Sequence, residues 1–260
     1  MAFFPLLLYS QDTLKQSNLA FNGYMKDMQT CIFQNIQDDW TTENLIHNRL
    51  NFKWFINPSL TACVEMRNRL AVGNIFTSFP GYDKTFESDH GMITLTKNLV
   101  DTRYGVLNLD IDRIWLQYTT GNFQITAGRQ RINWGQTFVW NPNDLFNSYS
   151  YFDFDYEEKP GSDAIRMQWF PSATSDLELA IKGNNEHKAT VAGLYRFNKW
   201  NYDIQFLGGL VNQSDLMIGA GWSGQIGGGG FRGEASYFHR AKNMKDTTGI
   251  FVMSMGETVN

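Results

Sequence analysis

Residues 46–70, IHNRLNFKWFINPSLTACVEMRNRL, alternate in character with a period of two. Ile46, Leu50, Phe52, Trp54 and Ile56 share one parity, while His47, Arg49, Asn51 and Lys53 share the other. Successive side chains of a strand point to opposite faces, so this is a strand with one oily and one charged side. Asn57, Pro58 and Ser59 make a tight turn. Beyond it Leu60, Ala62, Val64, Met66 and Leu70 oppose Thr61, Glu65, Arg67 and Arg69, which completes a hairpin.

The same two faces recur outward from this hairpin. Ile114, Leu116 and Tyr118 oppose Arg113 and Gln117; Phe123, Ile125 and Ala127 oppose Gln124 and Thr126; Ile165, Met167 and Trp169 oppose Arg166 and Gln168. Further on, Leu177, Leu179 and Ile181 oppose Glu178 and Lys182; Trp200, Tyr202, Ile204 and Phe206 oppose Asn201, Asp203 and Gln205; Phe231, Gly233, Ala235 and Tyr237 oppose Arg232, Glu234 and Ser236. With weaker runs at 19–32, 189–197, 216–226 and 249–255, about twelve strands are predicted. Their connections alternate: 33–45, 71–105 and 134–161 are long and 183–188, 209–215 and 240–248 medium, whereas 57–59, 119–122, 171–175, 198–199 and 227–230 are short. Short turns on one rim and long loops on the other belong to an up-and-down membrane barrel; a Greek-key sandwich has no reason to segregate them.

Composition agrees. The chain is 15% aromatic and 18% charged with a mean hydropathy of −0.36. Beyond the first residues no stretch approaches the roughly 18–20 apolar residues of a spanning helix. Alternating faces cancel in any window average, so the expected fold is all-β: a transmembrane antiparallel up-and-down β-barrel. Hydrocarbon offers an unpaired backbone no partner, so the edges of such a sheet must meet. Residues 255–260 lie inside a descending strand with no terminal aromatic strand after it. The sequence is therefore expected to be C-terminally truncated, a finished twelve-stranded barrel being the alternative. Phe55, Trp115, Tyr118, Phe123, Trp169, Phe170, Phe197 and Trp200 fall beside the short turns, as an interfacial girdle would.

Residues 1–11, MAFFPLLLYSQ, read as a residual signal peptide or a hydrophobic N-terminus, leaving 12–260 as the barrel. A net charge of −4 with scattered basic residues excludes nucleic acid as an expected partner. Cys31 and Cys63 belong to no metal-type cluster and are open to either a disulfide or free thiols. His47, His90, His187 and His239 are far apart, and no nucleophile elbow or phosphate loop is present, so neither catalysis, metal nor cofactor is expected.

The most distinctive stretch is residues 128–147, GRQRINWGQTFVWNPNDLFN. Its Gly128-Arg129-Gln130, Asn133-Trp134-Gly135 and Asn141-Pro142-x-Asp144 elements resemble outer-membrane porin-like proteins loosely akin to the alginate-export family. That resemblance covers about twenty residues and implies an outer-membrane channel in a Gram-negative bacterium, without a substrate. Arg129 and Arg131 are expected near a strand top, where an inward-folding loop brings Asp144 or Asp153 to them; Arg129, Arg131, Asn133, Trp134, Asn141 and Asp144 are the constriction-loop candidates. A plain turn at 141–144 with rim ion pairs is the alternative. The wet face supplies the pore-lining candidates His47, Arg49, Lys53, Glu65, Arg67, Arg69, Arg113, Arg166, Glu178, Lys182, Arg196, Asp203, Arg232 and Glu234. Their basic excess points to small anionic solutes unless the charges pair across strands.

The expectation is thus a porin-like pore in contact with outer-membrane lipid and small solutes, homo-oligomerisation being left open. An outer-membrane binding or assembly protein acting through its long loops, and a secreted glycan-binding β-sandwich, are the competing readings.

Overall fold

The computed structural model describes residues 17–37, 39–137, 140–146, 160–243 and 249–258. Its strands are β1 (Leu19–Ile32), β2 (Thr41–Asn57), β3 (Leu60–Val72), β4 (Thr96–Thr102), β5 (Gly105–Thr120), β6 (Phe123–Gln130), β7 (Ser162–Ser172), β8 (Ser175–Gly183), β9 (Ala189–Lys199), β10 (Tyr202–Val211), β11 (Asp215–Ile226), β12 (Gly229–Arg240) and β13 (Gly249–Thr258). Every pairing is antiparallel between chain neighbours except β3–β5, which brackets β4; the order is β1-β2-β3-β5-β6-β7-β8-β9-β10-β11-β12-β13, and β4 pairs the outer half of β5. This is the up-and-down sheet expected, with one strand more than the alternation counted.

β4 escapes the pattern because it lies inside the long 73–104 connection, after the one-turn helices α1 (Ile75–Ser78) and α2 (Tyr82–Thr85). It pairs Asp110 through Gly105, where β6 is too short to reach. The turns at 58–59, 121–122, 173–174, 200–201 and 227–228 are two residues each and lie on one rim. Trp200 and Asn201 have φ of 56° and 60°, and Gly227 and Gly228 of 60° and 93°, the left-handed pairs that match the twist of two-residue hairpins. The sequence placed the β9–β10 turn at 198–199; it lies two residues later, with Trp200 in the turn itself.

Burial is inverted relative to a water-soluble sheet. Ile218 and Phe206, in mid-sheet, are 66% and 54% exposed, while Gln205 and Glu234 are 0% exposed and Arg49 1%. The exposed parity carries Phe52, Trp54, Leu116, Ile165, Leu179, Ile181 and Met253. In water such a face would forfeit the burial that drives folding. Asn48, a polar interruption of this parity, is satisfied by its register partner Asn68 and by the Tyr24 carbonyl.

Two connections fill the other, concave side. Residues 131–137 and 140–146 bring Ile132, Trp134 and Phe146 against Ala164, Ala180, Ala192, Leu194, Leu207 and Met217. Loop 73–104 sets Phe86 on Leu45, Ala71 and Val106. The small wall residues Ala164, Ala180 and Ala192 leave room for Trp134 and Phe146, which meet edge to face with centroids 4.8 Å apart. Cys31 is exposed and Cys63 buried, and both are free thiols.

Candidate functional site: the charged concave face

The concave face is a lattice of ion pairs. On β2, β3 and β5 the Arg49 guanidinium lies 2.6 Å from both Glu65 and Asp112, and Arg113 lies 3.1 Å from Glu65 and 3.8 Å from Asp112. Above them Arg67 pairs Asp110 at 3.0 Å. Arg69 donates to Asn108 and to the Phe86 carbonyl, and its guanidinium stacks over the Phe86 ring. His47 is buried beside Tyr24 with ring centroids 5.7 Å apart, and Lys53 sits over Trp115 near the short-turn rim.

Asp110 and Asp112 were missed because β5 carries a bulge. Glu65 pairs Arg113 while Met66 pairs Ile111, leaving Asp112 unopposed. An extra residue in one strand shifts the parity beyond it. Asn108, Asp110 and Asp112 therefore share the inward face with Arg113, Trp115 and Gln117, although strict alternation separates the two sets. The signal is the sequence Asp110-Ile111-Asp112-Arg113-Ile114, where polar residues fall on adjacent positions.

On the other half, Arg166 forms a two-pronged pair with Glu178, each nitrogen 2.8 Å from one oxygen, and Glu178 also accepts from Trp134 Nε1 at 2.9 Å. Arg196 lies 3.7 Å from Asp176 and bonds Gln205. Lys182 Nζ donates to the Phe146 carbonyl at 2.6 Å, and Arg232 reaches the Gln136 carbonyl at 3.4 Å. Asp203 accepts from Asn198 by the turn. Glu234 accepts backbone N–H groups of Thr137 and Asn143. The pairing across strands that the sequence left open is thus present for Arg49, Arg67, Arg113, Arg166 and Arg196. Asp110, Asp112 and Asp176 add carboxylates to a list that had looked basic.

The 128–146 motif divides in two. Trp134 and Asn143 fold inward, and Asn141 accepts from Thr137 Oγ1 at 3.0 Å while its carbonyl accepts the Asp144 amide. Arg131 and Asn133 alternate with the buried Ile132 and Trp134 and are exposed. Arg129 departs from expectation. Its partners are Asp163 on β7 at 2.7 Å and Asp89 of loop 73–104 at 2.8 Å, not Asp144, and Asp153 lies outside the described residues. Register pairs Arg129 with Ile114 and Asp163, on the parity of Phe123 and Ile125, so it pins loop segment 89–93 at the outward side of the rim rather than lining the interior. Among the described residues no group of three His, Cys, Asp or Glu side chains is placed to hold a metal ion.

No protein-family model matches the chain, and no curated protein does. Among solved structures it is similar to the crystal structure of OccAB4 from Acinetobacter baumannii, an outer-membrane porin-like β-barrel, with a TM-score of 0.50 and 10% sequence identity. The match covers 95% of this chain and 65% of that one, so this chain spans under two thirds of its neighbour's length. At that identity the likeness is one of fold. It extends to the antiparallel strand architecture, and the alginate-export kinship expected from residues 128–147 finds no support in it. The chain has an all-β, antiparallel up-and-down architecture.

Proposed function

We propose that the chain forms an outer-membrane pore through which small polar solutes pass passively, with no catalytic step. The observation that carries this reading is the inversion of the two faces: charge is buried in ion pairs on the concave side while large apolar side chains stand exposed on the other. Only a hydrocarbon surround gives that arrangement a lower free energy than its reverse. Because five inner guanidiniums, those of Arg49, Arg67, Arg113, Arg166 and Arg196, face carboxylates, any anion preference is modest, a permeability ratio within about threefold of unity rather than the strong bias that a ring of one sign creates. The test is to fold the chain in detergent, confirm a heat-modifiable band with β-type circular dichroism, and record in a planar bilayer under a salt gradient. Stepwise conductance with a small reversal potential is expected. A folded, detergent-indifferent protein without channel steps would overturn the proposal.

A further inference from the structure

Among the groups that hold the segments 131–137 and 140–146 against the wall, one carboxylate touches both. Glu234, fully buried on β12, accepts the backbone N–H of Gln136 and, at 2.8 Å, that of Thr137 on Oε1, while Oε2 accepts the N–H of Asn143 at 3.0 Å. Gln136 and Thr137 end the described segment 131–137 and Asn143 lies in the segment 140–146, so the carboxylate joins the two limbs. These amides have no strand partner, and a buried N–H left unmet is costly. The wall beside Glu234 is shaped to admit the loop. A Cβ at Gly219 would lie 2.5 Å from Asn143 Oδ1, and one at Gly221 2.9 Å from Gln136 Oε1. Two lesser bonds flank the seat: Asn143 Nδ2 donates to the Ala220 carbonyl at 2.9 Å, and Ser236 Oγ donates to Asn143 Oδ1 at 2.7 Å.

We propose that Glu234 is the positioning residue of the constriction: its carboxylate fixes the depth at which the segments 131–137 and 140–146 lie on the concave face, and thereby sets the size of solute that passes. The sieving half of this statement rests on the pore reading above; the seating half does not. A glutamine at this place keeps one acceptor but turns an NH2 group toward amides that also donate, so E234Q preserves size and removes the fit.

The test uses the full chain folded in detergent, with the wild type, E234Q, E234D and N143A compared. Hydrogen exchange of peptides covering 136–143 is expected to be at least about tenfold faster in E234Q, because hydrogen bonds to a charged group are the stronger kind. E234D, which keeps the charge on a shorter arm, should fall between. N143A keeps its amide on the carboxylate and should exchange less than E234Q. In bilayers E234Q channels should admit larger neutral polyethylene glycols than the wild type. Equal exchange in E234Q and wild type, or an N143A effect as large as that of E234Q, overturns the latch whatever the conductance. Faster exchange with an unchanged polymer cut-off overturns its role in sieving. Absence of channels in the wild type counts against the pore alone, and the exchange comparison then decides the latch by itself.

Discussion

Replacing Leu179 by arginine puts a charge on the face that the structure leaves exposed and apolar. Leu179 lies on β8, on the exposed parity, four residues above the strand start at Ser175. At about 3.3 Å per residue and a tilt near 40°, that is roughly 10 Å above the turn-side end of the strand, close to the middle of an apolar belt about 25 Å tall. Arginine at such a depth costs about 2–4 kcal/mol. Ile226, at the last position of β11 beside the Gly227-Gly228 turn, is more exposed still but sits at the belt's edge, so I226R should cost no more than about 1 kcal/mol. The assay is reversible denaturant unfolding in lipid vesicles, followed by tryptophan fluorescence. On a water-facing sheet both substitutions would stay within about 0.5 kcal/mol of the wild type, as surface changes ordinarily do. Equal small effects at the two positions would refute the assignment of the exposed face to lipid, and with it the membrane reading. An effect at Ile226 as large as that at Leu179 would instead refute the depth assigned to the short-turn rim.

Two other predictions follow from particular contacts. R49A removes the 2.6 Å partner of the buried Asp112 and leaves the longer contact to Arg113 at 3.8 Å, while Glu65 keeps Arg113 at 3.1 Å; a cost of about 3–5 kcal/mol is expected in the same unfolding assay, and R49A/D112N should recover part of it. A cost below about 0.5 kcal/mol would mean that water reaches the network. Gly128 has φ of 117°, and a Cβ there would lie 2.3 Å from the Ile114 carbonyl oxygen, so G128A should lose at least about 2 kcal/mol and most of its heat-modifiable fraction on gels; wild-type yield would show that the β5–β6 approach is looser than described.

How much of this was legible follows from what each feature depends on. The strands, their faces and the rim of short turns are local properties. A period of two in residues 46–56 or 177–182 needs no knowledge of neighbours, and a lipid surround sharpens the pattern because each face has one solvent. Trp134 as an inward anchor was readable in part, since an aromatic in a polar, turn-rich stretch needs a place to bury its ring. The rest depended on register. Asp112 joins Arg49 because a bulge opposite Glu65 shifts the parity of β5. Arg129 turns to Asp89, forty residues earlier, because loop 73–104 returns over the rim and supplies β4 on the way.

The sequence by itself determined that the chain makes an antiparallel all-β sheet with one oily and one charged side, because side-chain alternation is a property of the strand alone. Tertiary structure decided which charges cancel, which loop enters the concave face and that Glu234 holds it there. Those contacts join residues up to 98 positions apart, and nothing in the alternation of either strand specifies the other's height or the path of the loop between them.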